Sequence, residues 1–313
     1  MINRPDGLGQ ILGQVTVQGS ATSYFSTPET ELDPRLFVGT NLQGWVRNGI
    51  LQLLFGFLNE TYRHPDLWCT VWLAGSGVSF QWSAARQPGD LDVLIGVNYL
   101  QFRKAHPEYS GLGDKEISQM LNEDFREHLQ PETENWNGFE VTFYVNPGAT
   151  DIRTIRPYAA YDLTHNEWTV FPSKLGAPQQ PVWESVAQRD REMAVEISTR
   201  YAKALTDLQA ATNDAARRNA EVRLHTSLMQ GSMLFEDIHS SRRLAFSQQG
   251  AGYADFYNYR WQAGKKYGTV PALKQMHEYW KQYQTQQADE GYGMELPSTE
   301  TLIRRAATYR AKG

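Results

Sequence analysis

Apolar residues recur every three to four positions between residues 42 and 58, at Leu42, Trp45, Val46, Ile50, Leu53, Leu54, Phe57 and Leu58. That period lays a stripe along an α-helix running to about Tyr62. Asp33-Pro34 reads as its start, because Asp accepts from free N–H groups and Pro fits a first helical turn. A different rhythm follows. The runs LWCTVWLAG (67–75), DLDVLIGV (90–97) and GFEVTFYVN (138–146) are short and rich in β-branched and aromatic residues, so each predicts a strand. EWTVFP (167–172) predicts a fourth. Between the second and third, Asp114 opens a predicted helix with Ile117, Met120, Leu121, Phe125 and Leu129 on one side. Beyond the turn-rich PSKLGAPQQP (172–181), Met193, Ile197, Tyr201, Leu205 and Leu208 restore the helical stripe, and helical signals dominate nearly to the C-terminus. The pattern predicts an α+β chain: an arm over 1–32, a mixed sheet with flanking helices over 33–180, and an all-helical domain over 181–313.

Composition narrows the class. A chain of 313 residues, 41% apolar and 21% charged, is globular rather than disordered. Its longest apolar patch, ILQLLFGFL (50–58), is too short to span a bilayer, so no membrane partner is expected. The first twenty residues hold neither a basic stretch nor a sustained apolar one, so no secretory signal is expected. Cys69 is the only cysteine, which excludes an internal disulfide and points to a reducing, cytoplasmic setting. Its apolar strand marks it as a buried, inert thiol. The net charge of −5 divides unevenly: residues 1–183 hold 12 Lys and Arg against 20 Asp and Glu, and residues 184–313 hold 18 against 15. Halves of opposite sign suit a ligand carrying both metal and phosphate, although charge alone favours the ordinary reading of separate acidic and basic surfaces.

The chemistry concentrates at 75–92. Asp90 and Asp92 alternate with Leu91 and Val93, so both carboxylates point to one face of their strand, about 7 Å apart along it. Without a cation each raises the other's pKa and destabilises the pair. A hard divalent ion such as Mg²⁺ accepts this oxygen ligation and keeps positions open for phosphate and water. One strand earlier, Gly75-Ser76-Gly77 ends an apolar run, where a backbone can approach a ligand closely and N–H groups with a hydroxyl can hold phosphate oxygens.

An apolar strand ending in Gly-Ser, 13 further residues, and then Asp-Leu-Asp-Val resembles the DNA polymerase β-like nucleotidyltransferase superfamily. The likeness covers residues 70–146. It implies that Gly75 and Ser76 hold the triphosphate of an NTP, that Asp90 and Asp92 bind two Mg²⁺ (or Mn²⁺), and that a third carboxylate lies on a later strand. Glu140 is the only acid of GFEVTFYVN and takes that place, with Asp151 in reserve. Two features depart from the family pattern: Pro88-Gly89 directly before Asp90, where it terminates the intervening helix, and the aromatic segment VSFQWSAARQ. Other motifs fail. Ala74 stands where a nucleophile elbow needs Gly. No Gly-Lys-Ser/Thr is present, and the seven histidines show no zinc spacing.

The stretch 241–274 carries Arg242, Arg243, Arg260, Lys265, Lys266 and Lys274 against the single acid Asp255, interleaved with seven aromatic residues. Such a mixture stacks bases and pairs with phosphates; the ordinary alternative is an aromatic helical core with a solvated basic rim. Lys265, Lys266, Arg153 and Arg156 are the candidate triphosphate contacts. Arg242, Arg243, Arg260 and Trp261 are the candidate acceptor or base contacts. The expected activity is transfer of a nucleoside monophosphate from an NTP to an acceptor hydroxyl, with release of pyrophosphate. The segment favours an RNA 3′ end as acceptor, and a small molecule or a protein hydroxyl is compatible. A non-catalytic nucleotide-binding or interaction protein that kept the fold is the alternative.

Overall fold

The computed structural model describes residues 13–19, 28–84, 88–146, 150–175 and 181–292, with side chains to residue 285. Among these residues the chain forms two compact units. One is mixed α+β and contains 28–175 together with Phe246–Tyr253; the other is helical and contains 13–19, 181–245 and 254–292.

In the mixed unit, Asp33-Pro34 starts a turn and not the expected helix. The Asp33 carbonyl accepts from Leu36 and Phe37 N–H, and the chain enters a two-residue hairpin, β1 (Phe37–Val38) and β2 (Asn41–Leu42). Helix α1 then runs over Gly44–Thr61 and buries Val46, Ile50, Leu54 and Leu58 at strict i, i+4 spacing. After a helical turn at Pro65–Trp68 comes β3 (Cys69–Ala74), then β4 (Gly89–Val97) and α2 (Tyr99–Ala105). Helix α3 (Asp114–Asp124) has Gly113 as its cap, with Asp114 in the first turn, and continues as a π-helical turn over Phe125–Leu129. β5 (Phe139–Val145), β6 (Ala160–Asp162) and β7 (Glu167–Val170) complete a five-stranded sheet of order β5-β4-β3-β6-β7. Only the β4–β5 pair is parallel.

The sheet has two unlike faces. Val71, Leu73, Leu91, Val93, Ile95, Val141 and Tyr161 point to one, where α1, α2 and α3 supply the rest of the main core. On the other, Trp72, Ala74, Ile152 and Ala160 form a smaller apolar cluster, joined by Leu94 and Val170. That cover stops short of the N-terminal half of β4, so Asp90 and Asp92 emerge on an exposed face while their neighbours are buried. A central strand would ordinarily be apolar on both sides.

The helical unit contains α4 (Pro181–Gln209), α5 (Asp214–Ala245), α6 (Phe256–Lys266) and α7 (Thr269–Tyr292). Ile197, Tyr201, Leu205, Leu224, Leu228 and Met276 are its core, and the Gly231 backbone lies against the Met276 side chain. Residues 13–19 pack on this unit: Val15 is buried in its core and the Gly13 carbonyl accepts from Tyr201 Oη at 2.9 Å.

Candidate active site

Register fixes the positions of the acids. In the parallel β4–β5 pair, Asp90 lies opposite Glu140 and Asp92 opposite Thr142; in the antiparallel β3–β4 pair, Ala74 lies opposite Asp92. Partners across a ladder share a face, so Asp90, Asp92 and Glu140 project from the same side of the sheet. Neighbouring strands are about 4.8 Å apart. Glu140 and Thr142 are half-buried, whereas Asp90 and Asp92 are exposed.

The turn after β3 closes one side of this acidic patch. Gly75 has φ +87°, a left-handed conformation in which an L side chain is strained, and a Cβ there would lie 2.3 Å from Asp92 Oδ2. A Cβ on Gly77 would lie 2.4 Å from the Asp90 carbonyl oxygen. Two glycines thus let the loop lie directly on the strand that carries the acids. The Ser76 carbonyl anchors the turn by accepting from Ser79 N and Oγ, at 3.1 and 2.9 Å. Gln81 extends it, donating to the Leu175 carbonyl and accepting from Tyr253 Oη. Between Gly75 and Pro88 the described residues are turns, where the sequence predicted a helix.

One residue before the acids, β4 and β5 are clamped. Gly89 and Phe139 pair, and a Cβ on Gly89 would strike the Phe139 ring. The Arg35 guanidinium lies 4.5 Å from that ring and is gripped by the buried Asp33 through both Nε and Nη2. Asp33 thereby holds the Arg35 proton more tightly than usual.

Asp151, the reserve carboxylate, caps the turn at Ile152–Thr154, and both its oxygens are engaged by Arg153. The guanidinium holds that carboxyl below its ordinary pKa. Arg153 therefore has an acidic partner of its own. Arg156 is exposed, and its backbone N–H donates to the Phe246 carbonyl.

The remaining candidates belong to the helical unit. Arg260 is a structural cation: it forks onto the buried Asp190 at 2.6 and 2.9 Å and reaches Asp237 at 2.6 Å. Arg242 and Lys265 lie 5.2 and 5.6 Å from the Trp261 ring, and His239 stands 5.4 Å from it. Lys266 lies over Tyr267, and Arg243 is exposed. Reading the sequence named Gly77 only as part of the turn and missed Thr142 and His239. Thr142 lies two residues from Glu140 and His239 three from Arg242, so strand or helix periodicity was the available signal.

No protein-family model, curated protein or solved structure matches the chain. Among the described residues, no group of three or more His, Cys, Asp and Glu side chains is placed to hold a metal ion, and no helix is long and apolar enough to cross a membrane. Two carboxylates on one strand face, beside a turn that backbone alone can line, still suit Mg²⁺, which takes one or two carboxylates and draws its other ligands from water and phosphate.

Proposed function

We propose that this chain is a metal-dependent nucleotidyltransferase of the DNA polymerase β-like kind. The observation that carries the reading is the close packing of the Gly75–Gly77 turn on the Asp90–Asp92 strand, with Glu140 in register beside Asp90. Asp90 and Asp92 would hold Mg²⁺, and Glu140 stands next to them to orient an acceptor or join the ligand set. A divalent ion bound there supplies charge neutralisation on the transferring phosphoryl group and activation of the acceptor hydroxyl. Gly75 and Gly77 let the backbone of the turn lie against Asp92 and Asp90, so a phosphate held by the turn would sit beside both carboxylates. Ser76, between them, offers a hydroxyl at the same place. Exposure of both aspartates leaves the patch open to a large substrate.

Incubation with Mg²⁺, α-labelled NTPs and three acceptor pools (total RNA, protein extract, small alcohols) tests the reading. Label transferred to one pool, and lost in Asp90→Asn/Asp92→Asn, supports it. No transfer to any pool, together with no NTP binding, overturns it. The alternative is a nucleotide-binding protein that retains the fold without turnover. That reading predicts NTP binding with no transfer.

A further inference from the structure

In the apolar patch ILQLLFGFL, Ile50, Leu54 and Leu58 are fully buried. Leu53 and Phe57 pack against the same core yet stay half-buried. A second face of α1 carries Gly49, Leu53, Gly56, Phe57 and Glu60, and it lines an open groove of about 680 Å³. The π-helical turn and the residues after it form the opposite wall, with Leu129, Glu132 and Trp136.

The two glycines differ. A Cβ on Gly49 would lie 2.5 Å from the Trp136 ring, so internal packing accounts for it. A Cβ on Gly56 would meet nothing within 4 Å. Glycine inside a helix is less favourable than alanine, and no contact among the described residues repays it at Gly56. A bare glycine on a solvent-facing helix permits one thing a side chain forbids, close approach of another backbone. The flanking turn has π geometry, an uncommon form that recurs at functional sites.

Charge says what approaches. Glu60 and Glu132 are exposed at the groove beside the exposed His128, and neither acid has an ion-pair partner among the described residues. Residues 1–183 as a whole carry an excess of acid. Trp136 is half-buried and packs on the exposed Trp45, which gives the other end an aromatic wall. From residue 49 to residue 60 the face runs about 16 Å, three helical turns.

We infer that this groove is a docking site for a basic amphipathic helix of a partner protein. Its backbone crosses α1 at Gly56, its apolar side chains lie on Leu53, Phe57 and Trp136, and its Lys or Arg side chains reach Glu60 and Glu132. This is the helix-in-groove mode of recognition.

The test uses the full chain and a fluorescein-labelled 14-residue helical peptide with leucines on one face and lysines on the other, beside a counterpart with glutamates for lysines. Fluorescence anisotropy is expected to show saturable binding of the lysine peptide, at least tenfold weaker binding of the glutamate peptide, and at least tenfold weakening in both Gly56→Phe and Glu60→Lys/Glu132→Lys. The second variant leaves the helix glycine intact and keeps the test valid if the first does not fold. Asp90→Asn/Asp92→Asn is expected to bind the peptide normally. Undiminished binding by both groove variants, or no binding by the wild type, overturns the inference. Concentration-dependent dimerisation of the wild type, abolished by Gly56→Phe, overturns it in favour of a second copy of this chain.

Discussion

Replacing Gly77 with alanine probes the contact on which the site depends. The added Cβ would stand 2.4 Å from the Asp90 carbonyl oxygen and 3.0 Å from Leu91 Cδ2. Ordinary van der Waals contact begins near 3.4 Å, so the turn must retreat from β4 by about 1 Å. The first obstacle is backbone in a central strand and cannot rotate away. Overpacking of this kind costs about 1–3 kcal/mol. With a urea dependence of about 2 kcal/mol per molar, the unfolding midpoint falls by roughly 0.5–1.5 M. Tryptophan fluorescence in a urea titration reads this directly. A displacement of about 1 Å at a reacting site also costs about a hundredfold in turnover, so activity is expected to fall further than stability alone explains. A midpoint shifted by less than about 0.25 M, the equivalent at that slope of the ~0.5 kcal/mol of an ordinary surface substitution, would refute the packing of this turn on the acids.

Other consequences follow from single groups. Arg260→Met leaves the Asp190 carboxylate, 3% exposed, without its cation, and is expected to lower stability by about 3–5 kcal/mol whether or not nucleotide is present; a normal urea midpoint would return Arg260 to the list of ligand contacts. His106 is buried, its Nε2 accepts from the Arg63 N–H at 2.8 Å, and burial lowers its pKa below the ordinary 6.5. The stability it contributes is therefore present above about pH 6.5 and lost as pH falls through the lower folded-state value; His106→Gln is expected to flatten that part of the stability–pH curve, and an unchanged slope would contradict this. Gly56→Ala meets no neighbour and is expected to raise stability by up to about 1 kcal/mol, read from the same urea titration. A loss instead would mean that Gly56 has a conformational role within the fold.

What the sequence disclosed follows from the range of the physics. Asp90 and Asp92 were legible because strand alternation is local: two residues apart means one face. β4, β5 and the long helices stood out for the same reason, since their periods repeat over enough residues. The helix expected from Asp33-Pro34 failed because the local bonds from Leu36 and Phe37 onto the Asp33 carbonyl close a single turn before the chain pairs Phe37 with Leu42, and a capping residue does not distinguish a turn from a helix. β6 is three residues long, too short to show a period. Arg260 looked available because its acids are 70 and 23 residues away. The register that sets Glu140 beside Asp90 is likewise a long-range fact; only the scarcity of acids on β5 hinted at it.

The most direct measurement is calorimetric titration of a non-hydrolysable NTP into the wild type and into Asp90→Asn/Asp92→Asn, each with Mg²⁺ and with chelator. Binding by the wild type that requires Mg²⁺ and disappears in the variant is the predicted result. Binding that ignores the metal, persists unchanged in the variant, or is absent throughout would contradict the site built here on Gly75, Gly77, Asp90 and Asp92.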